Sequence, residues 1–113
     1  MNEYFTAGEF ACKCCGVEIM DIAFIERLTA ARKLAGVPFV ITSGYRCLNH
    51  NIAVGSASMN HPQGKAADIA CTTGAERILI VKSLLDAGFM RIGIGQNFIH
   101  ADSRSILSAM WIY

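Results

Sequence analysis

The chain predicts an α+β fold, a small single domain in which two main helices accompany a mostly antiparallel sheet. Two segments carry apolar residues at helical spacing and are bounded by capping residues. Between and after them lie short apolar runs, closed by Gly, Pro or polar residues, that are too brief for helices. No linker, repeat or low-complexity tract divides the 113 residues, so one domain over 1–113 is expected.

Asp21 suits an N-cap for a first helix running to about Ala35, with Phe24, Leu28, Ala31 and Leu34 on one face. Gly36 and Pro38 close it. Phe39 to Thr42 reads as a buried strand turned by Ser43-Gly44, and Asn49 to Val54 as a short helix ended by Gly55. A polar loop from Gly55 to Gly64 leads into a strand from Lys65 to Cys71. Thr73-Gly74-Ala75-Glu76 has the form of a capping box and opens the second main helix, with Ile78, Val81, Leu84 and Leu85 expected inward and Gly88 at its end. Strands follow at Arg91 to Ile94 and Phe98 to Asp102, and Met110 to Tyr113 adds an edge strand.

Composition narrows the function. Hydrophobic residues make up 53% and charged residues 17%, which supports a packed core and excludes disorder. The net charge of +1 is spread along the chain, and without a basic face no nucleic-acid partner is expected. No apolar run is long enough for a bilayer span, so no membrane insertion is expected. The first residues lack the basic and apolar regions of a signal peptide, and synthesis in the cytoplasm is expected. The sequence does not fix the oligomeric state, and a monomer is favoured.

Cys12, Cys14, Cys15, Cys47 and Cys71 are odd in number. Free thiols are the expectation in a chain with no secretion signal. The alternative is a four-sulfur metal site of Cys12, Cys14, Cys15 and Cys47, although the spacing is not that of a familiar zinc ribbon.

The strongest chemical signal is His61 with Asp68, followed by His100-Ala101-Asp102. Two imidazoles and a carboxylate suffice for a Zn2+ that keeps a position open for water, which points to a metallohydrolase. On its strand Asp68 shares a face with the small Ala66 and Ala70, and His100 shares one with Phe98 and Asp102. Adjacent antiparallel strands then present Asp68 and His100 side by side, with His61 arriving from the loop. His50, between Asn49 and Asn51, is expected to fix a turn or helix start, and Lys65 to be a solvated strand end.

Ser43-Gly44-Tyr45-Arg46-Cys47, Asn51, Val54-Gly55, His61-x-x-Gly64-x-Ala66-x-Asp68 and Phe98-Ile99-His100-x-Asp102 together resemble the zinc D-Ala-D-Ala carboxypeptidase family, which includes phage endolysins. With Phe10-x-Cys12-x-Cys14 and the Cys after Tyr45-Arg46, the chain is most similar to short, phage-associated members, over roughly Phe5 to Arg104. The resemblance implies a small hedgehog/D,D-peptidase-like α+β fold. It also implies a zinc site of His61, Asp68 and His100, and Arg46 holding a substrate carboxylate, as a guanidinium fork can. A structural ion pair is the other reading of Arg46.

Many family members carry an acidic base three residues before the last zinc histidine, where this chain has Asn97. Gln96 is no base either. Asp102 is then the expected base, or else a partner that orients a zinc histidine, with a spatially adjacent acid such as Glu18 as a further option. The implied function is a zinc metallopeptidase hydrolysing peptidoglycan stem peptides in the bacterial cell wall, of D-Ala-D-Ala carboxypeptidase or L-Ala-D-Glu endopeptidase type, as a phage or prophage product. Two alternatives stand beside it: a non-catalytic, zinc-bound peptidoglycan-binding or structural phage module of the same fold, and a cytosolic amidohydrolase on small amides, which keeps the chemistry and changes the substrate.

Overall fold

The computed structural model describes residues 1–56 and 61–113; part of the expected polar loop, residues 57–60, lies outside the described residues. A 3-10 turn at Ala7–Phe10, not expected from the sequence, precedes α1 (Ile22–Ala35), β1 (Ile41–Ser43), α2 (Leu48–Ala53) and β2 (Ala66–Ala70). α3 (Gly74–Asp86), β3 (Arg91–Ile94), β4 (Phe98–Asp102) and β5 (Ala109–Ile112) complete the order. The strands form one sheet in the order β1-β2-β4-β3-β5. Every pairing is antiparallel except that of β3 with β5, which is parallel. The α+β expectation holds. No helix among the described residues is long and apolar enough to cross a membrane.

Local chemistry sets the helix ends. The Phe24 amide donates to the Asp21 carboxylate at 2.9 Å, satisfying a donor that the first turn of α1 leaves open. Thr73 does the same for α3, accepting from the Glu76 amide at 3.1 Å.

Both main helices lie on one face of the sheet. Phe24, Leu28 and Ala31 of α1 and Ile80 and Leu84 of α3 are buried with Ala67, Ile69, Ile92, Ile99 and Ala101 of the strands. Phe24 and Phe89 meet edge to face with ring centres 5.6 Å apart, a contact worth about 0.5–1.5 kcal/mol beyond its burial.

The helix faces differ in part from those expected. Leu34, Ile78 and Leu85 are exposed, and α3 turns Ile80 and Ser83 inward beside the expected Leu84. The run Ile78-Leu79-Ile80-Val81 is apolar all round, so its periodicity does not fix the phase of the helix. Ser83 occupies a core position because its hydroxyl donates to the Ile80 carbonyl at 2.9 Å.

Gly64 places one end of the future site. Its φ of +71° is left-handed, and a Cβ there would fall on the Ile19 carbonyl oxygen and 2.9 Å from the Met20 Cα. Its carbonyl accepts from the Asp21 amide at 2.9 Å, and its amide donates to the His61 carbonyl at 3.0 Å. The turn holding His61 is thereby fastened to the start of α1.

Gly64→Ala combines left-handed strain with a backbone collision and is expected to destabilise the fold by about 2–5 kcal/mol in chemical denaturation. Gly55→Ala has a similar φ of +77° but nothing within 4 Å, so it isolates the strain. Its expected cost is about 1–2 kcal/mol. Equal losses in the two variants would show that the close approach at Gly64 contributes nothing.

Candidate metal centre

Sheet register builds the centre. Asp68 on β2 pairs with His100 on β4, His100 pairs with Gly93 on β3, and Gly93 pairs with Trp111 on β5. Cross-strand partners project to one face, here the face away from α1 and α3. Gly93 leaves a gap in this row. A Cβ there would lie 2.6 Å from the Trp111 Nε1 and 2.7 Å from the Tyr113 Cε2, so the two aromatic rings occupy its place. Trp111 then stands beside His100 with ring centres 5.5 Å apart.

His61 reaches the same spot from its turn. Its Nε2 lies 3.8 Å from Asp68 Oδ1, and the His100 Nδ1 lies 3.0 Å from the same oxygen. Both imidazoles are buried.

The partners fix each ring. His61 Nδ1 is 2.7 Å from the Gly44 carbonyl, which can only accept, so Nδ1 carries the hydrogen and the Nε2 lone pair faces Asp68. His100 Nε2 donates to Asp102 Oδ2 at 2.8 Å, which leaves Nδ1 toward Asp68. Arg91 Nε in turn donates to Asp102 Oδ1 at 2.7 Å.

The two rings differ in their electrostatics. Burial, the largest influence, pushes His61 down to about 4 against the pull of the Asp68 charge, so its ring is neutral at pH 7. Burial also disfavours a charged His100, but hydrogen bonds to Asp102 and Asp68 outweigh it and raise its pKa. For Asp102 burial favours the neutral acid, and the bonds from His100 and Arg91 reverse this and keep it ionised.

His61 Nε2, His100 Nδ1 and one carboxylate oxygen of Asp68, all within 4.8 Å of one another, are a fitting donor set for a zinc ion, which His100 Nδ1 joins by giving up its hydrogen. Tetrahedral ligands with bonds near 2.0–2.1 Å sit roughly 3.3 Å apart, between the two separations above.

The centre opens into a cavity of about 520 Å³, lined among others by Arg46, Arg91, Arg104, Trp111 and Tyr113. Arg46 is held by three acceptors. Its Nε donates to Ser43 Oγ at 3.1 Å, Nη1 to Asn51 Oδ1 at 3.5 Å and Nη2 to Asp68 Oδ2 at 3.4 Å. The two oxygens of Asp68 thus divide between the histidines and the arginine.

The family model described as Peptidase M15 matches residues 3–102. The chain belongs to the Peptidase M15 family. This is the family of zinc D-Ala-D-Ala carboxypeptidase type, its peptidases are zinc-dependent, and the resemblance read from the motifs is confirmed. No curated protein matches the chain.

Within this M15 peptidase the structure brings together His61, Asp68, His100 and Arg46. Asp102 is elsewhere. It is 1% exposed, lies behind His100 and is not among the residues lining the cavity. It accepts from His100 Nε2, on the side of that ring away from Asp68. Gln96 and Asn97 are exposed between β3 and β4, and Glu18 borders a different cavity while accepting from the Met20 amide at 2.7 Å. His50 lies in α2, away from the donor set.

Arg91, Gly93, Trp111 and Tyr113 were not singled out from the sequence. The signal available was the alternation of Arg91 with Gly93 and of Trp111 with Tyr113, each pair sharing a strand face.

Replacing His61 or His100 with Ala removes one of three donors. Each variant is expected to lose the zinc bound through nitrogen and oxygen near roughly 2.0–2.2 Å, as read by X-ray absorption at the zinc edge. Retention of that shell in both variants would refute the donor set.

Proposed function

We propose that this M15 peptidase hydrolyses peptidoglycan stem peptides at a bond close to a free carboxylate, as a D-Ala-D-Ala carboxypeptidase does. The observation that carries the reading is Arg46, a guanidinium fixed by three acceptors in the same cavity as His61, Asp68 and His100. A planar fork of this kind suits a carboxylate, and holding it in place before substrate arrives reduces the ordering that binding requires. Arg104 adds positive charge to the cavity, which favours an anionic peptide. Cleavage between L-Ala and D-Glu is the alternative bond. The site of action in this reading is the bacterial cell wall, with the chain a phage or prophage product.

His61, Asp68 and His100 would hold zinc, which when bound polarises a carbonyl and makes hydroxide available near neutral pH. The surrounding residues orient the donors. The Gly44 carbonyl selects the His61 tautomer, and Asp102, itself held by Arg91, does so for His100. Arg46 anchors the substrate carboxylate and so sets which carbonyl lies at the centre. Among the described residues no carboxylate other than Asp68 lines the cavity. That observation favours a second reading, a zinc-bound module that binds peptidoglycan without cutting it.

Incubation of the zinc-loaded protein with purified peptidoglycan, followed by mass analysis, separates these readings. Loss of a terminal alanine marks a carboxypeptidase, and new internal termini mark an endopeptidase. Retained binding with intact peptides marks a module. In the carboxypeptidase case Arg46→Lys keeps the charge but loses the fork, and kcat/KM should fall at least about tenfold with zinc retained. An unchanged value would remove Arg46 from substrate binding.

Asp102→Asn tests the orienting role. Zinc affinity is expected to fall about 10–100-fold, and activity to return at saturating zinc. A loss of turnover by roughly 10²–10⁴ with unchanged zinc affinity would instead make Asp102 the base.

A further inference from the structure

The sulfur cluster lies outside everything the peptidase reading uses. Cys12, Cys14, Cys15 and Cys47 come from two distant parts of the chain, yet their sulfurs all lie within 4.8 Å of one another. The separations are 3.5 Å for Cys12 to Cys14, 3.7 Å for Cys12 to Cys47 and 3.2 Å for Cys14 to Cys47. A tetrahedral zinc with bonds near 2.3 Å sets its four sulfurs roughly 3.8 Å apart. A disulfide joins sulfurs in pairs near roughly 2.05 Å and gives no reason for four to converge.

The backbone is shaped around the cluster. The Gly16 amide donates to the Cys12 carbonyl and the Cys12 amide to the Val17 carbonyl, both at 2.7 Å, which folds residues 12–17 into a tight turn. Two further amides point at sulfur: that of Cys47 at Cys12 Sγ and that of His50 at Cys47 Sγ, each at 3.4 Å. Amide donors stabilise sulfur that carries negative charge, as a coordinating thiolate does.

We propose that Cys12, Cys14, Cys15 and Cys47 bind a second zinc ion, structural in role and separate from the centre of His61, Asp68 and His100. Four protein sulfurs fill a tetrahedron and leave no position for water, so this ion takes no part in hydrolysis. Each thiol gives up its proton as it coordinates. The ion joins the turn of residues 12–17 to Cys47, which follows Arg46 directly in the chain.

Cobalt(II) and metal counting test the proposal. The purified, reduced protein should hold two zinc ions per chain. His61→Ala/His100→Ala should keep one, with a sulfur-only shell near roughly 2.3 Å at the zinc edge. Cobalt(II) added to that variant should give a sulfur-to-cobalt charge-transfer band in the near ultraviolet. Cys14→Ser/Cys47→Ser should lose the band and the sulfur shell.

A folded His61→Ala/His100→Ala protein with no zinc, or with a nitrogen and oxygen shell only, would overturn the proposal. So would disulfides among these cysteines in the protein mapped as isolated without added reductant. The wild-type chain titrated with cobalt(II) gives the same decision without any variant, because the histidine centre contains no sulfur. Failure of the peptidase reading would leave both readouts unchanged.

Discussion

A slip of one residue between β2 and β4 would turn Asp68 and His100 toward the helices and carry Ile69 and Ile99 out to the open face. Each isoleucine gains about 1.5–3 kcal/mol from burial, and Asp68 would be driven into an apolar layer with no partner. The register is therefore set by the hydrophobic side of the sheet. Ala67, Ile69, Ile99 and Ala101 lie under α1 and α3, and their alternation fixes what the opposite face presents. The same forces that close the core place the two strand-borne donors of the metal centre beside each other.

Register brings the donors together but does not aim them. That is done by buried polar groups, whose cost is tolerated because each finds a partner. Asp102 has a fully buried side chain, and it sits between Arg91 and His100. Arg91 also donates to the Leu107 carbonyl at 3.2 Å and lies 5.4 Å from the Trp111 ring. A single arginine thus links the orientation of a metal-facing histidine to the packing of the last strand. Such a buried chain adds little net stability, and its contribution is to select one ring orientation from several.

Much of this was legible in the sequence where the signal is local. The caps at Asp21 and Thr73 gave the starts of α1 and α3, and turn residues bounded β3 and β4 at their observed ends. The spacing of His61, Asp68 and His100, with the alternation rule for strands, was enough to bring them to one place. Long-range features were not legible. The parallel pairing of β5 with β3 depends on where a distant strand docks, and the inward phase of α3 depends on which side of an all-apolar run meets the sheet. For Asp102, sharing a strand face with His100 suggested a place beside the reacting bond. Alternation along a strand does not give the orientation of the His100 ring, whose two nitrogens point in different directions and meet Asp68 with one and Asp102 with the other.

The two faces of the sheet are held by different means, and this bears on how so small a chain keeps a rigid site. One face has α1 and α3 and conventional burial. On the other, the helix among the described residues is α2, of six residues, and short polar links hold the segments around it. The Tyr45 amide donates to the Phe10 carbonyl at 2.8 Å, and Gly44 packs so closely on Phe10 that a Cβ would lie 2.6 Å from its Cα. The Gly44 carbonyl then holds His61, while Ser43 and Asn51 hold Arg46. Residues 43–47 are therefore clasped by the core-bound Phe10 on one side and by the sulfur cluster at Cys47 on the other. Fixing this segment fixes two residues of the cavity, His61 and Arg46, together, so on this face the order of the candidate site rests on cross-links between chain segments more than on buried area.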